Sequence, residues 1–387
     1  MLRNQSTIDN LVNQSIAAGE YAGASLLVIK DGKEWSRQVY GEADMEKHSP
    51  VRRDTIFHLY SMSKPITATA VMMLYERGAL DIQDAVGTYL PMFKDMTVWT
   101  GSGEAPANRE ITIWDCLNMT SGIPYPNQET EPGRRMDEVF LRLISRREQG
   151  ENVDTMEWMK EVAKVPLCFQ PGEKWMYGFS ADVLGAVVEA VSGKRFGQFL
   201  QEELFKPLGM ADTGFFVPEE KQHRFAVAYE NWSTGALKPF TRSHLGEYYK
   251  PDVAFESGGA GLVSTIDDYA FFAQMLLNGG SINGVQILKP ETVEFMSRNY
   301  LTDSQRIEYN WDSVKGYGYG CLMRCLEDTA VADTKGNIGE YGWDGWTGNY
   351  VTINPQKNMV LLFFVQRCGT GFGELTRKVR EEIYAKL

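Results

Sequence analysis

The sequence predicts an α+β fold in which an antiparallel sheet, flanked by terminal helices, is joined to a second, mostly helical lobe. Three observations predict it. Strand-like apolar runs lie near both ends of the chain, at Ala22–Lys30 and Met359–Gln366. Helical spacing of apolar residues marks both termini. The middle, roughly 80–250, reads as helices separated by long loops. The simplest packing that buries all these faces joins the two ends in one sheet. The expected division is 1–80 with 250–387 for the sheet lobe, and 81–249 for the helical lobe.

Taken in order, Ser6 is positioned to cap a helix whose apolar face is Ile8, Leu11, Val12 and Ile16. Two strand-like runs, Ala22–Lys30 and Lys33–Tyr40, flank Asp31-Gly32, a pair that favours a tight hairpin. Residues 62–77 form a helix with Ala68, Val71, Met72 and Tyr75 on one face and Gly78 as its stop. Trp99–Glu110, rich in Gly, Ser, Ala and Pro, reads as a loop. Apolar helices follow at 181–193, ending at Gly193, and at 266–277, ending at Asn278-Gly279-Gly280. Tyr317–Arg324 and Tyr350–Ile353 are strand candidates. Met359–Gln366 is nearly continuous in apolar residues, which suits a central strand buried on both faces. Asn354–Asn358 is a turn, and a last helix runs from about Glu374 to Ala385.

The 387 residues include 39 Lys and Arg against 51 Asp and Glu, a net charge of −12. An acidic chain without a basic run argues against nucleic acid or anionic membrane as a partner. The five cysteines, at 116, 168, 321, 325 and 368, are odd in number and read as reduced thiols. The four histidines form no zinc-ligand spacing. No signal-like apolar stretch opens the chain and no run reaches the length of a membrane span. The expectation is a cytoplasmic protein without catalytic zinc.

Three motifs carry chemistry. In Ser61-Met62-Ser63-Lys64, followed by Pro65, Ser61 is expected to cap the helix with Lys64 one turn further on. A serine hydroxyl needs a neighbouring base, and a lysine amine serves once burial or a nearby cation lowers its pKa. Pro171-Gly-Glu-Lys-Trp-Met-Tyr177-Gly-Phe-Ser180 offers Tyr177 as a general acid or base, provided cations depress its pKa. In Tyr341-Gly-Trp343-Asp344-Gly345-Trp346, Gly345 allows a substrate backbone to approach. The amide of Trp346 then forms an oxyanion hole with the amide of Ser61. Read singly, each motif also fits a structural role: a capping serine, a buried tyrosine, an aromatic hairpin.

Together and in this order, the motifs resemble the serine hydrolases related to class C β-lactamases, D-alanyl-D-alanine carboxypeptidases and family VIII esterases. Further stretches share the resemblance. Phe57–Ile66 looks like the family's nucleophile helix and Leu117–Pro124 like the loop beside its site. Ser257–Thr265 is similar to the Gly-rich turn before its late helix. The resemblance implies a β-lactamase/transpeptidase-like fold and an acyl-enzyme on Ser61, formed from a small-molecule ester or β-lactam-like substrate without metal or organic cofactor. Lys64 and Tyr177 then share the proton transfers, with either as the base. Tyr125, next after the Leu117–Pro124 loop, joins Phe179, Trp343, Asp344 and Gly345 as candidate substrate-binding residues.

Two departures bear on substrate. The lactamases carry Tyr-x-Asn where this chain has Tyr177-Gly178-Phe179, and Lys-Thr-Gly where it has Trp343-Asp344-Gly345. The second loses a cation that meets a substrate carboxylate, and Asp344 is expected to repel one. Trp-x-Gly is similar to the esterase branch, whose middle residue is usually Gly. Trp175, Phe179, Trp343 and Trp346 are expected to line an apolar mouth. The expectation is a carboxylesterase on small esters, with weak β-lactam hydrolysis. The alternatives are a true β-lactamase or D-amino-acid peptidase, a penicillin-binding sensor that acylates without turnover, and an acyltransferase. His58, three residues before Ser61, reads as a local packing residue rather than a base.

Overall fold

The computed structural model describes residues 5–232, 235–241 and 253–387. Its centre is an eight-stranded antiparallel sheet. In chain order the strands are β1 (Gly23–Lys30), β2 (Lys33–Asp44), β3 (Ser49–Pro50), β4 (Tyr317–Gly320), β5 (Met323–Leu326), β6 (Tyr341–Asp344), β7 (Tyr350–Asn354) and β8 (Met359–Val365). In space they run β4-β5-β6-β7-β8-β1-β2-β3. The two ends of the chain therefore meet at the β8–β1 pairing, from Ala24 opposite Val365 to Lys30 opposite Met359. The β1–β2 hairpin turns on Asp31 and Gly32, both with positive φ (52° and 70°), the backbone twist that suits a two-residue turn between antiparallel strands.

Every residue of β8 is buried, and its side chains alternate between two cores. Leu361, Phe363 and Val365 pack with Ile8 and Val12 of helix α1 (Gln5–Ala17). They also meet Leu375, Val379 and Ile383 of the last helix, Glu374–Tyr384. Val360, Leu362 and Phe364 face the larger core on the other side. There lie helices α2 (Ser63–Glu76), α3 (Ser180–Ser192) and α4 (Ile266–Leu277). A strand covered on both faces needs a continuous apolar run, which is what β8 has. The last helix, α5, and α1 thus close one face of the sheet.

Three expectations are corrected in detail. Helix α1 includes Ser6 rather than starting after it. Tyr317–Arg324 is not one strand: Cys321 and Leu322 take positive φ (45° and 62°) and fold it into the β4–β5 hairpin. Leu322 is fully buried at that tip and its N–H donates to Leu117 O over 2.8 Å, so tertiary packing holds a turn that has no glycine. The loop at 99–110 contains a short strand pair, Thr97–Trp99 with Glu104–Pro106. The expected lobe boundary at 249/250 lies outside the described residues. Among the described residues no helix is long and apolar enough to cross a membrane.

Candidate active site

Ser61 does not cap α2. It sits in a 3-10 turn, Tyr60–Met62, that leads into the helix, and Met62 occupies the cap position. Tyr60 has φ +47°, a left-handed backbone that costs a non-glycine residue on the order of 1–3 kcal/mol and persists only where its surroundings hold it. They do so here. Leu59 N–H donates to Leu262 O, Leu262 N–H to Ser63 Oγ, and Tyr269 Oη to Met62 O. The Gly-rich turn at 257–262 thus clamps the start of α2.

Lys64 is 0% exposed. Its Nζ lies 3.1 Å from Ser61 Oγ, 3.1 Å from Tyr125 Oη and 2.9 Å from Gly259 O. Burial pushes its pKa down to about 7, against the attraction of the Asp182 and Asp344 carboxylates. A neutral amine has two N–H groups and one lone pair. With Gly259 O as a fixed acceptor and Tyr125 Oη as a second, the lone pair faces Ser61.

Tyr177 lines the same cleft as Ser61. Its ring covers Lys64 Nζ at 4.6 Å, and its oxygen accepts from Trp343 Nε1 over 3.2 Å. Cations do not depress its pKa. Burial is the largest influence and raises it, and the carboxylates Asp344 and Asp182 add to the rise. Tyr177 is therefore a phenol at neutral pH. The Leu117–Tyr125 loop is laced to this segment: Met176 N–H donates to Met119 O and Phe179 N–H to Ile123 O. Gly178 is required there, because a Cβ would stand 2.0 Å from Ile123 O.

The third motif lies at the end of β6, beside the Ser61 turn. Trp346 packs edge-on against Tyr60, with ring centroids 5.2 Å apart. Gly345 is needed for a close approach, but the approaching group is the protein's own: a Cβ would meet Leu59 O at 2.3 Å. Asp344 does not present a bare charge. It is ion-paired with Arg324 on the neighbouring strand β5, whose side chain is 2% exposed.

Two rings expected at the mouth face the core instead. Phe179 is 0% exposed and packs among Tyr125, Phe140, Trp158 and Phe255. Trp175 is also buried, against Tyr177, Tyr309, Trp311 and Tyr319. The open cleft at Ser61, about 530 Å³, is walled by Tyr177, Trp311, Trp343, Trp346 and Phe372. His58 ends a short strand and stacks on Phe225, centroids 4.3 Å apart.

Sequence reasoning missed Asp182, Arg324 and Trp311. Asp182, buried near the start of α3, accepts from Ser257 Oγ and from Gly259 N–H. It thereby holds the turn whose Gly259 carbonyl meets Lys64. Its place beside the second motif was readable, but its partner lies 75 residues away. Arg324 and Trp311 belong to no local pattern around the motifs.

A family model described as Beta-lactamase matches residues 8–385. Esterase EstB of Burkholderia gladioli is 30% identical over 399 residues, with 98% of this chain and 95% of EstB covered. Among solved structures, EstCE1, described as a hydrolase with promiscuous acyltransferase activity, superposes with a TM-score of 0.83 at 25% identity. The match covers 98% of both chains. Unliganded simvastatin synthase LovD from Aspergillus terreus, as its selenomethionyl derivative, has a TM-score of 0.81 at 21% identity, covering 100% and 99%. It speaks for the fold alone.

Proposed function

The chain belongs to the β-lactamase family and is a serine hydrolase, and from that premise we propose that it hydrolyses small, uncharged carboxylic esters through an acyl-enzyme on Ser61. The observation that carries this reading is the contact of a buried, readily neutral Lys64 with Ser61 Oγ at 3.1 Å.

In this mechanism neutral Lys64 takes the Ser61 proton as Oγ attacks the ester carbonyl. The amides of Ser61 and Trp346 hold the oxyanion. Tyr177, kept protonated by burial, passes a proton to the departing alkoxide and is re-protonated through Ser61's former proton on Lys64. Water then adds to the acyl carbon, losing a proton to the same Lys64–Tyr177 pair. Collapse of that intermediate breaks the bond to Oγ, returns the proton to Ser61 and frees the acid.

The charge pattern favours an uncharged substrate. Among the described residues, each charged side chain lining the cleft has an opposite partner: Asp344 with Arg324, Asp312 with Lys315, Arg377 with Asp333. Among the described residues no unpaired cation lines the cleft, and its walls are aromatic. EstB, which resembles the chain over almost its whole length, is an esterase. A second reading, transfer of the acyl group to an alcohol, rests on EstCE1 and needs only an acceptor other than water in the final step.

The test compares p-nitrophenyl butyrate with nitrocefin, in burst and steady state, with intact-mass detection of the protein. Fast ester turnover with an acyl adduct that Ser61→Ala abolishes supports the reading. Fast nitrocefin turnover without ester cleavage moves the protein to the lactamases, and a lasting adduct without turnover of either makes it a sensor. Adding a short alcohol reveals transfer as a new ester product.

A further inference from the structure

Asp344 occupies the middle of a motif that lies against the Ser61 turn, and a carboxylate there calls for a reason. Lys64 faces the Ser61 and Tyr125 hydroxyls, the Gly259 carbonyl, the Tyr177 ring and the Asp182 carboxylate. A second, unopposed anion would favour the protonated amine, which is useless as a base. Asp344 is that second anion, and Arg324 supplies its counter-charge. It stands on β5, its Nη1 bonded to Asp344 Oδ1. Its guanidinium is enclosed by four rings, Tyr317, Trp343, Tyr350 and Phe372, with centroids 4.8–5.7 Å away. Its Nη2 is buried without a hydrogen-bond partner, so this part of the cation is held by aromatic faces. One of those faces is the indole of Trp343, the same indole whose N–H donates to Tyr177.

We infer that Arg324 and Asp344 form a positioning pair for the reaction at Ser61: Arg324 neutralises the Asp344 carboxylate on the Ser61 cleft and seats the Trp343 indole that holds Tyr177. This deepens, and rests on, the reading of Ser61 as nucleophile and Lys64 as base. It also explains the departure from the small residue usual in Trp-x-Gly. Neither member is tolerable alone, since Asp344 without Arg324 is an unopposed anion whose field reaches the base. Arg324 without Asp344 is a buried cation with no counter-ion.

The experiment measures kcat/KM for p-nitrophenyl butyrate from about pH 5 to about pH 9 in the full chain, with thermal melting to confirm folding. The pair predicts shifts of opposite sign. Asp344→Asn leaves Arg324 unopposed and moves the acid limb down by about half a pH unit or more. Arg324→Met leaves Asp344 unopposed and moves the limb up by a similar amount. The double variant, with neither charge, returns the limb close to the wild-type position, and Arg324→Lys keeps it there. A purely structural pair would lower melting temperature and rate but leave the limb in place. If Arg324→Met does not fold, Asp344→Asn and the double variant decide by the same comparison.

Limbs that stay fixed in folded variants, or singles that shift the same way, overturn the inference while leaving the ester reading intact. A wild-type protein that forms no acyl-enzyme on Ser61 overturns both.

Discussion

The indole N–H of Trp343 donates to the hydroxyl oxygen of Tyr177 over 3.2 Å, with the two rings tilted at 34°. An oxygen that accepts this bond keeps its own proton available for Ser61. The tryptophan thus offers the tyrosine a hydrogen bond without a charge.

Trp343→Phe keeps an aromatic ring in place but removes the donor together with the pyrrole part of the buried indole. A single hydrogen bond is worth about 1 kcal/mol net, so the ester kcat should fall roughly 5–10-fold. KM should change little, because the bond orients a proton donor and holds no substrate. Steady-state kinetics separates the two constants. A kcat equal to that of wild type would mean that the bond is idle.

Lys64 sets the pH response. With its pKa near 7, the amine is charged below that point and cannot accept the Ser61 proton. The rate should therefore rise with pH and level off above an acid limb with a midpoint at about 7. Tyr177 stays protonated across this range, so it should add no falling limb below about pH 9. A rate that falls on raising the pH through 7 contradicts Lys64 as the base.

The same burial shapes stability. Unfolded, Lys64 holds its proton up to about 10.5, and folded it gives it up near 7. Between these values the unfolded chain binds more protons, so the contribution of Lys64 to stability declines as pH falls from about 10.5 towards 7 and is constant below. Lys64→Met should remove that slope. The difference in urea unfolding free energy between variant and wild type should grow in favour of Met on going from about pH 9 to about pH 7. A difference independent of pH would show that the amine is not desolvated.

The elements set by local chemistry were legible. Asp31-Gly32 announces its hairpin, β8 its central place, and Gly78 and Gly193 the ends of α2 and α3. Ser61, Lys64 and Tyr177 lie in short motifs, and the structure brings them together, with Lys64 in hydrogen-bonding reach of Ser61 and Tyr177 on the same cleft. What the sequence could not convey was direction and distance. Phe179 and Trp175 lie beside Tyr177 in the chain, but aromatic character does not say which ring faces the cleft. The β4–β5 turn escaped because Cys321-Leu322 carries no turn chemistry, and its strain is met by burial of Leu322. Asp344 looked like a repelling charge because Arg324, its partner, is 20 residues away on another strand.

The burial of Phe179 changes the meaning of a natural experiment. Putting Asn there to imitate the lactamase Tyr-x-Asn would set an amide among Phe140, Trp158 and Phe255 rather than at the mouth. Loss of a buried Phe costs about 3–5 kcal/mol in truncation series, and an unpartnered amide adds to that. Phe179→Asn should therefore lower unfolding stability by about 3 kcal/mol or more, without creating β-lactam affinity. Tight nitrocefin binding by a well-folded Phe179→Asn protein would return the residue to the substrate pocket.

Gly345 provides the sharpest test of how the third motif meets the nucleophile. Its Cα faces the Leu59 carbonyl so closely that any Cβ would stand 2.3 Å from that oxygen, and the obstacle is backbone, not a side chain that can swing away. Leu59 is two residues before Ser61, and its own N–H is tied to Leu262 O. Gly345→Ala must therefore push the end of β6 away from the Ser61 turn. This moves the Trp346 amide relative to Ser61 while leaving Lys64, anchored on Gly259 and Tyr125, in place. A displacement of about 1 Å at a reacting centre costs on the order of 10²-fold in rate. The expected outcome is a folded protein whose acylation by p-nitrophenyl butyrate slows by about that factor, with its acid limb still near pH 7. Retention of wild-type acylation in Gly345→Ala would mean that the Trp346 amide takes no part in holding the oxyanion.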